Sequence, residues 1–237
     1  MATIETYARP GRLYRYRSLG STTIGDEARV NPKLLDRELD AIENRYIYCP
    51  IFTRMNDPME GFYRASTRLA RRPDYEDLVE SIRRQKVRLG IASLCESWSN
   101  ELMWAHYADS FRGICISYSF TRLLEGLPES CALSRIAYGD KPYHLITADL
   151  ERDERPRSIL STKSLRWSYE REWRLFAERS GRVRYDNAAV SSVYLGARMA
   201  EPDRAVIRNR LHAIGVPVRE THVDGYAVER SKRDRDR

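Results

Sequence analysis

The most regular pattern of hydrophobic and polar positions is an alternation over residues 113–120. The even-numbered positions carry large apolar or aromatic side chains, whereas the odd-numbered positions carry glycine, cysteine or serine. Successive side chains of a β-strand point to opposite faces of the sheet. This period of two therefore predicts a strand with the large side chains on one face and the small ones on the other.

A second pattern, over residues 31–44, has the period of an α-helix. Asn31 is a residue type that caps helices, and Pro32 is tolerated in a first helical turn. Leu35, Leu39 and Ile42 follow at spacings that place them in one apolar stripe. The sequence therefore predicts an amphipathic helix packed on the core.

Weaker patterns of the same two kinds predict the remaining elements. The predicted strands are residues 13–17, 45–49, 89–95, 134–138, 172–177, 192–195, 216–222 and 226–229. The predicted helices are residues 73–87, residues 100–109 with Ser99 as the cap, residues 202–214, and further turns within 144–165. Because strands outnumber long helices and do not alternate with them, a doubly wound parallel sheet is disfavoured. We expect one α+β domain over residues 1–230, with mixed or antiparallel central sheets and flanking helices. Residues 231–237 should form a disordered polar tail.

Composition places this domain among ordinary globular proteins. The chain has 237 residues, of which 42% are hydrophobic, and this is enough to bury one substantial core. No apolar run approaches the ~20 residues of a membrane helix, and the first residues do not resemble a signal peptide. The cysteines lack the spacing of a zinc site or a dense disulfide framework, which favours buried free thiols: Cys49, Cys95, Cys115 and Cys131. We expect a cytoplasmic protein that does not bind membranes.

The charge is moderately basic, with 41 basic and 34 acidic residues and a formal net charge of +7. Arginine, whose planar guanidinium pairs well with phosphate and carboxylate groups, supplies most of the positive charge. The basic residues are not gathered in one run, so nucleic-acid binding is allowed but not required. A small anionic ligand such as a dinucleotide fits equally well.

Several common signatures are missing from the sequence. It contains no GxGxxG, Walker, GxSxG or HExxH motif. The histidines also lack metal-ligand spacing: His106, His144, His212 and His222. We therefore expect no bound metal.

Four short polar and aromatic blocks are the candidates for chemistry. The first lies on the strand of residues 13–17, where Arg15 and Arg17 share one face and Tyr14 and Tyr16 share the other. Two arginine forks on one face are suited to clamp a pyrophosphate. An ordinary edge strand with solvated arginines is the alternative.

The second block offers amide and carboxylate groups on a turn. Asn56 and Asp57 precede Pro58, which pushes the preceding residue out of the helical region. Glu60 follows two residues later. An ordinary turn without a binding role is the alternative, because turn-forming residues alone produce the same sequence pattern.

The third block is a short aromatic helix. Met103, Trp104 and Tyr107 share a helical face, with His106 to one side. Two aromatic rings on that face are suited to hold a planar ligand ring. A stripe of core aromatics is the alternative.

The fourth block, residues 167–174, is the hardest to explain as packing. If it is extended, Glu170, Glu172 and Arg174 share a face, and Trp173 points into the core. Two carboxylates at this spacing repel one another unless a cation or a ligand lies between them. Solvation of both glutamates is the alternative.

Together the blocks resemble a widespread bacterial family catalogued as a domain of unknown function. Its members contain LYKYRS, FNDPFE, CFSE, MWSHYAD, GICI, W.YE.EWR and I.LG in this order, with a lysine before W.YE.EWR. The corresponding segments here are residues 13–18, 52–60, 94–96, 102–109, 113–116, 167–174 and 193–196, with Lys163 as the lysine. The chain departs from the pattern at residues 52–55, where family members often have phenylalanine directly before Asn-Asp-Pro.

The order of the blocks also resembles ADP-ribosyltransferases of the DNA-modifying toxin type. In these enzymes an early strand carries an arginine or an aromatic motif, an aromatic segment follows, and a glutamate begins a later strand. The resemblance implies an ADP-ribosyltransferase-like fold with NAD as substrate. It implies catalytic roles for Glu172, Glu170 and His106, and NAD-binding roles for Arg15, Tyr16, Arg17, Asn56, Asp57, Trp104, Tyr107 and Arg174.

The leading hypothesis is therefore an NAD-dependent ADP-ribosyltransferase-like or NAD glycohydrolase-like effector of a bacterial toxin or phage-defence system, with nucleic acid allowed as the acceptor. One alternative is a non-catalytic module that senses a ligand or nucleic acid. Another is a metal-dependent nuclease that uses Asp57, Glu60, Glu170 and Glu172. The leading hypothesis predicts that Arg15, His106 or Tyr107, and Glu172 line one cleft. An arrangement with Arg15 and Glu172 on opposite faces would count against the transferase and favour the sensing module.

Overall fold

A nine-stranded mixed sheet forms the centre of the structure, a computed structural model that describes residues 3–4, 9–24, 27–146 and 154–231. Residues 232–237, which include most of the predicted tail, and residues 147–153, within the segment predicted to contain helices, lie outside the described residues.

The strands are β1 (Thr3–Ile4), β2 (Arg12–Arg17), β3 (Thr22–Ile24), β4 (Glu27–Arg29), β5 (Tyr46–Cys49), β6 (Tyr63–Ala65), β7 (Gly90–Cys95), β8 (Ile114–Ser119), β9 (Ala132–Arg135), β10 (Ala137–Gly139), β11 (Tyr143–Leu145), β12 (Thr162–Ser164), β13 (Glu172–Ala177), β14 (Gly181–Arg184), β15 (Val190–Leu195), β16 (Val218–Asp224) and β17 (Ala227–Arg230). The helices are α1 (Pro32–Glu43), α2 (Thr67–Ala70), α3 (Tyr75–Arg88), α4 (Glu101–Tyr107), α5 (Phe120–Gly126), α6 (Glu154–Ile159) and α7 (Glu201–Ala213). Two 3₁₀ segments span Phe52–Arg54 and Leu165–Glu170.

The central sheet has the order β1-β9-β13-β7-β2-β8-β15-β16-β17. Its pairings are antiparallel except β1 with β9 and β15 with β16, which are parallel. The remaining strands form four two-stranded ladders around it. The α+β class, with a mixed central sheet and flanking helices, is confirmed.

One face of the central sheet, here called the α1 face, carries the largest core. Leu13, Ile116 and Trp173 of the sheet belong to the same buried cluster as Leu39 of α1 and Leu123 of α5. Asn31 caps α1 as predicted, because its side chain accepts the backbone N–H groups of residues 33 and 34. Burial of the apolar stripe of α1 is the main stabilising contribution here, since apolar burial contributes about 25 cal/mol per Å².

The opposite face, here called the α4 face, has a smaller and more aromatic core. Tyr14, Tyr16 and Cys95 point from the sheet toward Met103 and Trp104 of α4. The two tyrosines of β2 therefore lie on the α4 face, while Leu13 of the same strand lies on the α1 face. The alternation predicted for β2 is confirmed.

The structure corrects three local predictions. The cap of α4 is Asn100 and not Ser99, because the Asn100 side chain accepts two N–H groups of the first turn. The strand predicted at residues 134–138 is two strands, β9 and β10. Block four is extended only from Glu172 onward, since Leu165–Glu170 forms a 3₁₀ segment and Arg171 has a left-handed φ of 44°.

Candidate functional site

The candidate site lies on the α4 face, where the chain turns into β13. The left-handed Arg171 separates the 3₁₀ segment from the strand and brings Glu170 and Glu172 to the same side. The backbone N–H of Glu172 donates to the hydroxyl of Tyr138 at 2.8 Å, which holds the start of the strand. Both glutamates are buried, with side-chain exposures of 4% and 3%.

Lys163 of β12 lies between the two glutamates. Its Nζ donates to Glu170 at 2.7 Å and to Glu172 at 3.4 Å. The same ammonium lies 4.6 Å from the centroid of the Trp167 ring. Lys163 therefore supplies the cation that the two neighbouring carboxylates require.

Arg174, two residues along β13, is a second buried cation. Its Nε donates to Glu172 at 2.8 Å, and its two Nη atoms donate to the carboxylate of Glu60 at 2.6 and 2.9 Å. The carbonyl of Leu160 accepts a further bond from Nη1. We call Glu60, Lys163, Glu170, Glu172 and Arg174 the glutamate cluster. It contains three carboxylates and two cations in mutual contact.

A chain of hydrogen bonds extends from this cluster to α4 and to the turn before Pro58. Tyr107 donates its hydroxyl proton to Glu170 at 2.5 Å, and Asn56 Nδ2 donates to the Tyr107 hydroxyl at 2.8 Å. Asn100, the cap of α4, also donates to the carbonyl of Tyr169 at 2.9 Å. Blocks two, three and four are therefore joined by direct hydrogen bonds.

The two glutamates differ in electrostatic environment. Burial raises the pKa of Glu170, with a further contribution from neighbouring Glu172, against the opposing effect of Lys163. Burial also disfavours ionised Glu172, but Arg174 and Lys163 outweigh it and lower the pKa of Glu172 to about 2. Glu172 is thus a stable carboxylate, whereas Glu170 is closer to accepting a proton.

A small cavity of about 70 Å³ opens beside the two glutamates. Its lining includes Tyr14 and Tyr16 of β2, Ser93 of β7, and Tyr107 of α4. Ser93 donates its hydroxyl proton to Glu172 at 2.6 Å. A water molecule occupies about 30 Å³ of liquid volume, so in this conformation the cavity has room for a few waters at most.

Of the residues predicted for the site, six belong to this arrangement. The cavity is lined by two residues with predicted catalytic roles, Glu170 and Glu172. It is also lined by three residues with predicted binding roles, Tyr16, Asn56 and Tyr107. Arg174 lies behind Glu172 and donates to it.

Besides Arg15 and Arg17, three predicted residues have no part in this arrangement. Trp104 is fully buried and donates its Nε1 proton to the carbonyl of Trp98 at 2.7 Å, so it belongs to the core. His106 is exposed, with its ring centroid 6.5 Å from that of Tyr169. Asp57 accepts the N–H of Met59 at 2.9 Å and lines a neighbouring cavity of about 360 Å³.

The prediction that Arg15 and Glu172 line one cleft is wrong. Across the sheet Glu172 pairs with Cys95, and Cys95 pairs with Tyr14. Directly paired residues on neighbouring strands share a face. Tyr14 therefore lies on the face of Glu172, and Arg15 with Arg17 points to the α1 face.

The block-one strand is also not an edge strand, because β2 lies between β7 and β8. Arg17 forms a bidentate ion pair with Glu38 of α1 at 2.6 and 2.7 Å. The solvated edge strand considered for this block is therefore wrong as well.

Sequence reasoning missed two members of the site and misjudged a third. Lys163 enters the sequence analysis only through the family pattern. The repulsion between Glu170 and Glu172 indicates that a cation lies between them, and Lys163 is that cation. Glu60 was considered only as a metal ligand, but it pairs with Arg174. Ser93 had no signal, because one serine in an apolar strand is unremarkable in sequence.

The remaining structural expectations concern thiols, membranes and metals. All four cysteines are free and buried, as predicted. Among the described residues, no helix combines the length and apolarity needed to cross a bilayer. Within the same part of the chain, no cluster of histidine, cysteine and acidic side chains suits a metal ion.

Residues 103–175 match a family described as "Protein of unknown function (DUF2971)". This segment contains Tyr107, Lys163, Glu170 and Glu172, and thus most of the candidate site. No curated protein and no solved structure matches the chain. The match confirms the resemblance to an uncharacterised family over residues 103–175.

Proposed function

We propose that the protein is an NAD-dependent ADP-ribosyltransferase-like or NAD glycohydrolase-like enzyme whose site is the cavity beside Glu170 and Glu172. One observation carries the proposal: the three segments on which the resemblance rests are neighbours in space. The strand of block one is β2, and the glutamate strand is β13, which β7 separates from β2 in the sheet. The aromatic segment is α4, which packs on β2 through Trp104 and Tyr16. All three contribute to the lining of one cavity.

The chemistry of the two carboxylates suits this reaction. The bond between ribose C1′ and the nicotinamide nitrogen breaks, its electron pair goes to the pyridinium ring, and water or an acceptor nucleophile attacks C1′. The intermediate has oxocarbenium character, which a carboxylate stabilises. Glu172 remains ionised because of Arg174 and Lys163. Glu170, with its raised pKa, is suited to take the proton of the incoming nucleophile.

The binding roles change with the geometry. Tyr14, Tyr16 and Tyr107 provide the aromatic surface for the nicotinamide ring. Arg15 and Arg17 do not anchor the pyrophosphate at this site, because they lie on the other face of the sheet. His106, which is exposed, has no catalytic role in this proposal.

The cavity must widen for a dinucleotide to enter, since ligand pockets typically measure ~300–1,000 Å³. The segment that covers it carries Met55 and Asn56. Asn56 is attached to the α4 face through one hydrogen bond to Tyr107. We propose that displacement of this segment admits the substrate.

The test is release of nicotinamide from NAD, followed by chromatography and by proton NMR. We expect turnover by the wild-type protein and at least a ~100-fold loss in Glu170→Gln, the typical magnitude for a general base. The matched control is Glu125→Gln, which removes one exposed carboxylate and should retain full activity. Circular dichroism of each variant separates loss of chemistry from loss of fold. Full activity in Glu170→Gln would contradict the proposal.

The second candidate, a non-catalytic sensing module, is favoured by two different observations. Arg15 and Glu172 lie on opposite faces of the sheet, which counts against the transferase. Each carboxylate of the glutamate cluster is already paired with Lys163 or Arg174, as in a cluster that only stabilises a fold. Saturable NAD binding in calorimetry without nicotinamide release would support this function. The nuclease alternative gains no support, because Glu60, Glu170 and Glu172 are held by these two cations instead of facing an open site.

For the cellular role, we propose a cytoplasmic effector of a toxin or phage-defence system with nucleic acid as an acceptor. The buried free thiols support a reducing compartment. Transfer of radiolabelled ADP-ribose from NAD to single-stranded DNA, compared with transfer to protein, tests the acceptor.

A further inference from the structure

A second cavity, of about 440 Å³, lies on the α1 face of the sheet. It is formed by β2, α1, β5 and the segments that follow β5. Half of its lining residues are arginines, and one is acidic: Arg15, Arg17, Arg37, Arg54, Arg182 and Glu38. We call it the arginine cavity.

The single lining carboxylate is already engaged. Glu38 receives a bidentate pair of hydrogen bonds from Arg17 at 2.6 and 2.7 Å, and a second pair from Arg37 at 2.9 and 3.1 Å. These contacts hold the pKa of Glu38 below its usual value despite burial. Two guanidinium groups, those of Arg17 and Arg37, therefore already share the negative charge of Glu38, and Arg15 has no hydrogen bond to it.

Arg15 is less compensated than Arg17 and Arg37. Its Nη2 donates to the carbonyl of Tyr48 at 3.0 Å, and among the described residues no carboxylate forms an ion pair with it. Burial and then neighbouring Arg17 lower the pKa of Arg15. A guanidinium has five N–H donors. Arg15 is thus a half-buried cation with most of its hydrogen-bonding capacity unused.

Two further arginines border the opening. Arg54 is exposed, and its guanidinium forms no hydrogen bond or ion pair within the part of the chain that the structure describes. Arg182 lies over the ring of Tyr46 at 4.6 Å, and its nearest carboxylate, that of Asp40, is 4.0 Å away. Both guanidinium groups are therefore able to meet an incoming anion with little rearrangement.

We propose that the arginine cavity is a binding site for a small ligand that carries two or more phosphate groups. Its volume lies within the ~300–1,000 Å³ of small-molecule sites. Arginine forks bind phosphate in bidentate fashion, which suits Arg15 inside and Arg54 at the rim. The half-exposed ring of Tyr48 borders the same space and offers a surface for a nucleobase. This proposal is independent of the function proposed for the glutamate cluster.

The experiment is isothermal titration of the full chain with inorganic tripolyphosphate and, separately, with ATP. We expect Arg15→Gln and Arg54→Gln each to weaken binding about tenfold, equivalent to about 1.4 kcal/mol. Arg71→Gln is the matched control, because it removes the same charge from an exposed position outside the cavity and should change affinity less than ~2-fold. Arg54 is exposed, so its variant tests the site even if Arg15→Gln fails to fold.

Two further measurements decide the ligand class and the independence of the site. Tighter binding of ATP than of tripolyphosphate identifies a nucleotide, and equal binding identifies the phosphates alone; both support the proposal. Glu170→Gln should bind tripolyphosphate like the wild type, whatever its effect on NAD turnover. An equal loss in Arg71→Gln, or no saturable binding by the wild type, overturns the proposal. So does a preference for a thymidine oligonucleotide over both small probes, because the site would then serve a nucleic-acid backbone.

Discussion

The two faces of the central sheet hold charge in opposite ways. On the α4 face, the three carboxylates of the glutamate cluster are matched by Lys163 and Arg174 at hydrogen-bond distance. On the α1 face, five arginines line the arginine cavity together with one carboxylate, that of Glu38, which pairs with Arg17 and Arg37. The first set is closed and buried, while the second is open and undercompensated.

The contrast between the two faces shows that the number of charged residues alone does not identify a binding site. Buried pairs that satisfy each other hold a structure in one arrangement, and breaking them is costly. Cations without partners on a cavity wall are suited to bind a ligand from solution.

The largest effect is expected for Arg174→Ala. Its removal leaves Glu60 and Glu172 buried without their main cation, and breaking a buried pair costs ~3–5 kcal/mol. Because two carboxylates lose a partner, we expect a loss of unfolding free energy of about 5 kcal/mol in urea titration. Arg17→Ala is the matched variant on the α1 face, and it should cost about 1–2 kcal/mol, since Glu38 retains Arg37. Equal losses would break the contrast between the faces.

The second largest effect is expected for Trp173→Ala, a loss of unfolding free energy of about 4 kcal/mol. Trp173 is fully buried in the core of the α1 face, opposite to Glu172, as the alternation of β13 predicted. Trp173→Phe keeps most of the apolar volume and loses the hydrogen bond from Nε1 to Glu96 at 2.9 Å. It should cost only about 1 kcal/mol. A Trp173→Ala protein that melts like the wild type would show that the ring does not support the core.

The third effect is a pH dependence due to Glu172. Its pKa is about 2 in the folded protein, compared with ~4.3 for glutamate in an unfolded chain. A lowered pKa means that Glu172 contributes its full stability above pH ~5 and loses it as pH falls toward ~2. We expect a loss on the order of 3 kcal/mol across this range, measured by urea titration at successive pH values.

The matched variant for this pH dependence is Glu172→Gln. This substitution preserves the volume of the side chain and removes its charge. The contacts of Glu172 with Arg174 and Lys163 now predict lower stability at neutral pH and a shallower loss in acid. An acid profile parallel to that of the wild type would assign the dependence to other carboxylates.

The smallest effect is expected for Tyr107→Phe. The substitution removes the hydroxyl that donates to Glu170 and should cost about 1.5–3 kcal/mol of unfolding free energy, the range for a bond to a charged group. Tyr46→Phe removes the analogous bond to Asp40 near the arginine cavity, at 2.7 Å. Because Asp40 is 41% exposed, solvent replaces the lost bond, and the cost should stay below ~1 kcal/mol. Similar midpoints for both variants in thermal unfolding would contradict the difference in burial.

The sequence by itself determined those features that local periodicity controls. The cap and stripe of α1, the alternation of β8, and the separation of Glu172 from Trp173 on β13 follow from patterns within a few residues. These patterns work because a helix or a strand places its own side chains at fixed angles, whatever the rest of the chain does. The turn at Arg171 was missed, since nothing local indicates that a non-glycine residue adopts a left-handed conformation there.

Only the tertiary structure decided which blocks share a site. Alternation shows that Arg15 and Arg17 lie opposite Tyr14 and Tyr16, but not which pair faces Glu172. That choice depends on the register of β2, β7 and β13, in which Tyr14, Cys95 and Glu172 are paired in turn. A shift of one residue between strands would move a strand's entire side-chain set to the other face. Register is set by the packing of both cores together, and for this reason the glutamates and the arginines, similar candidates in sequence, occupy separate sites.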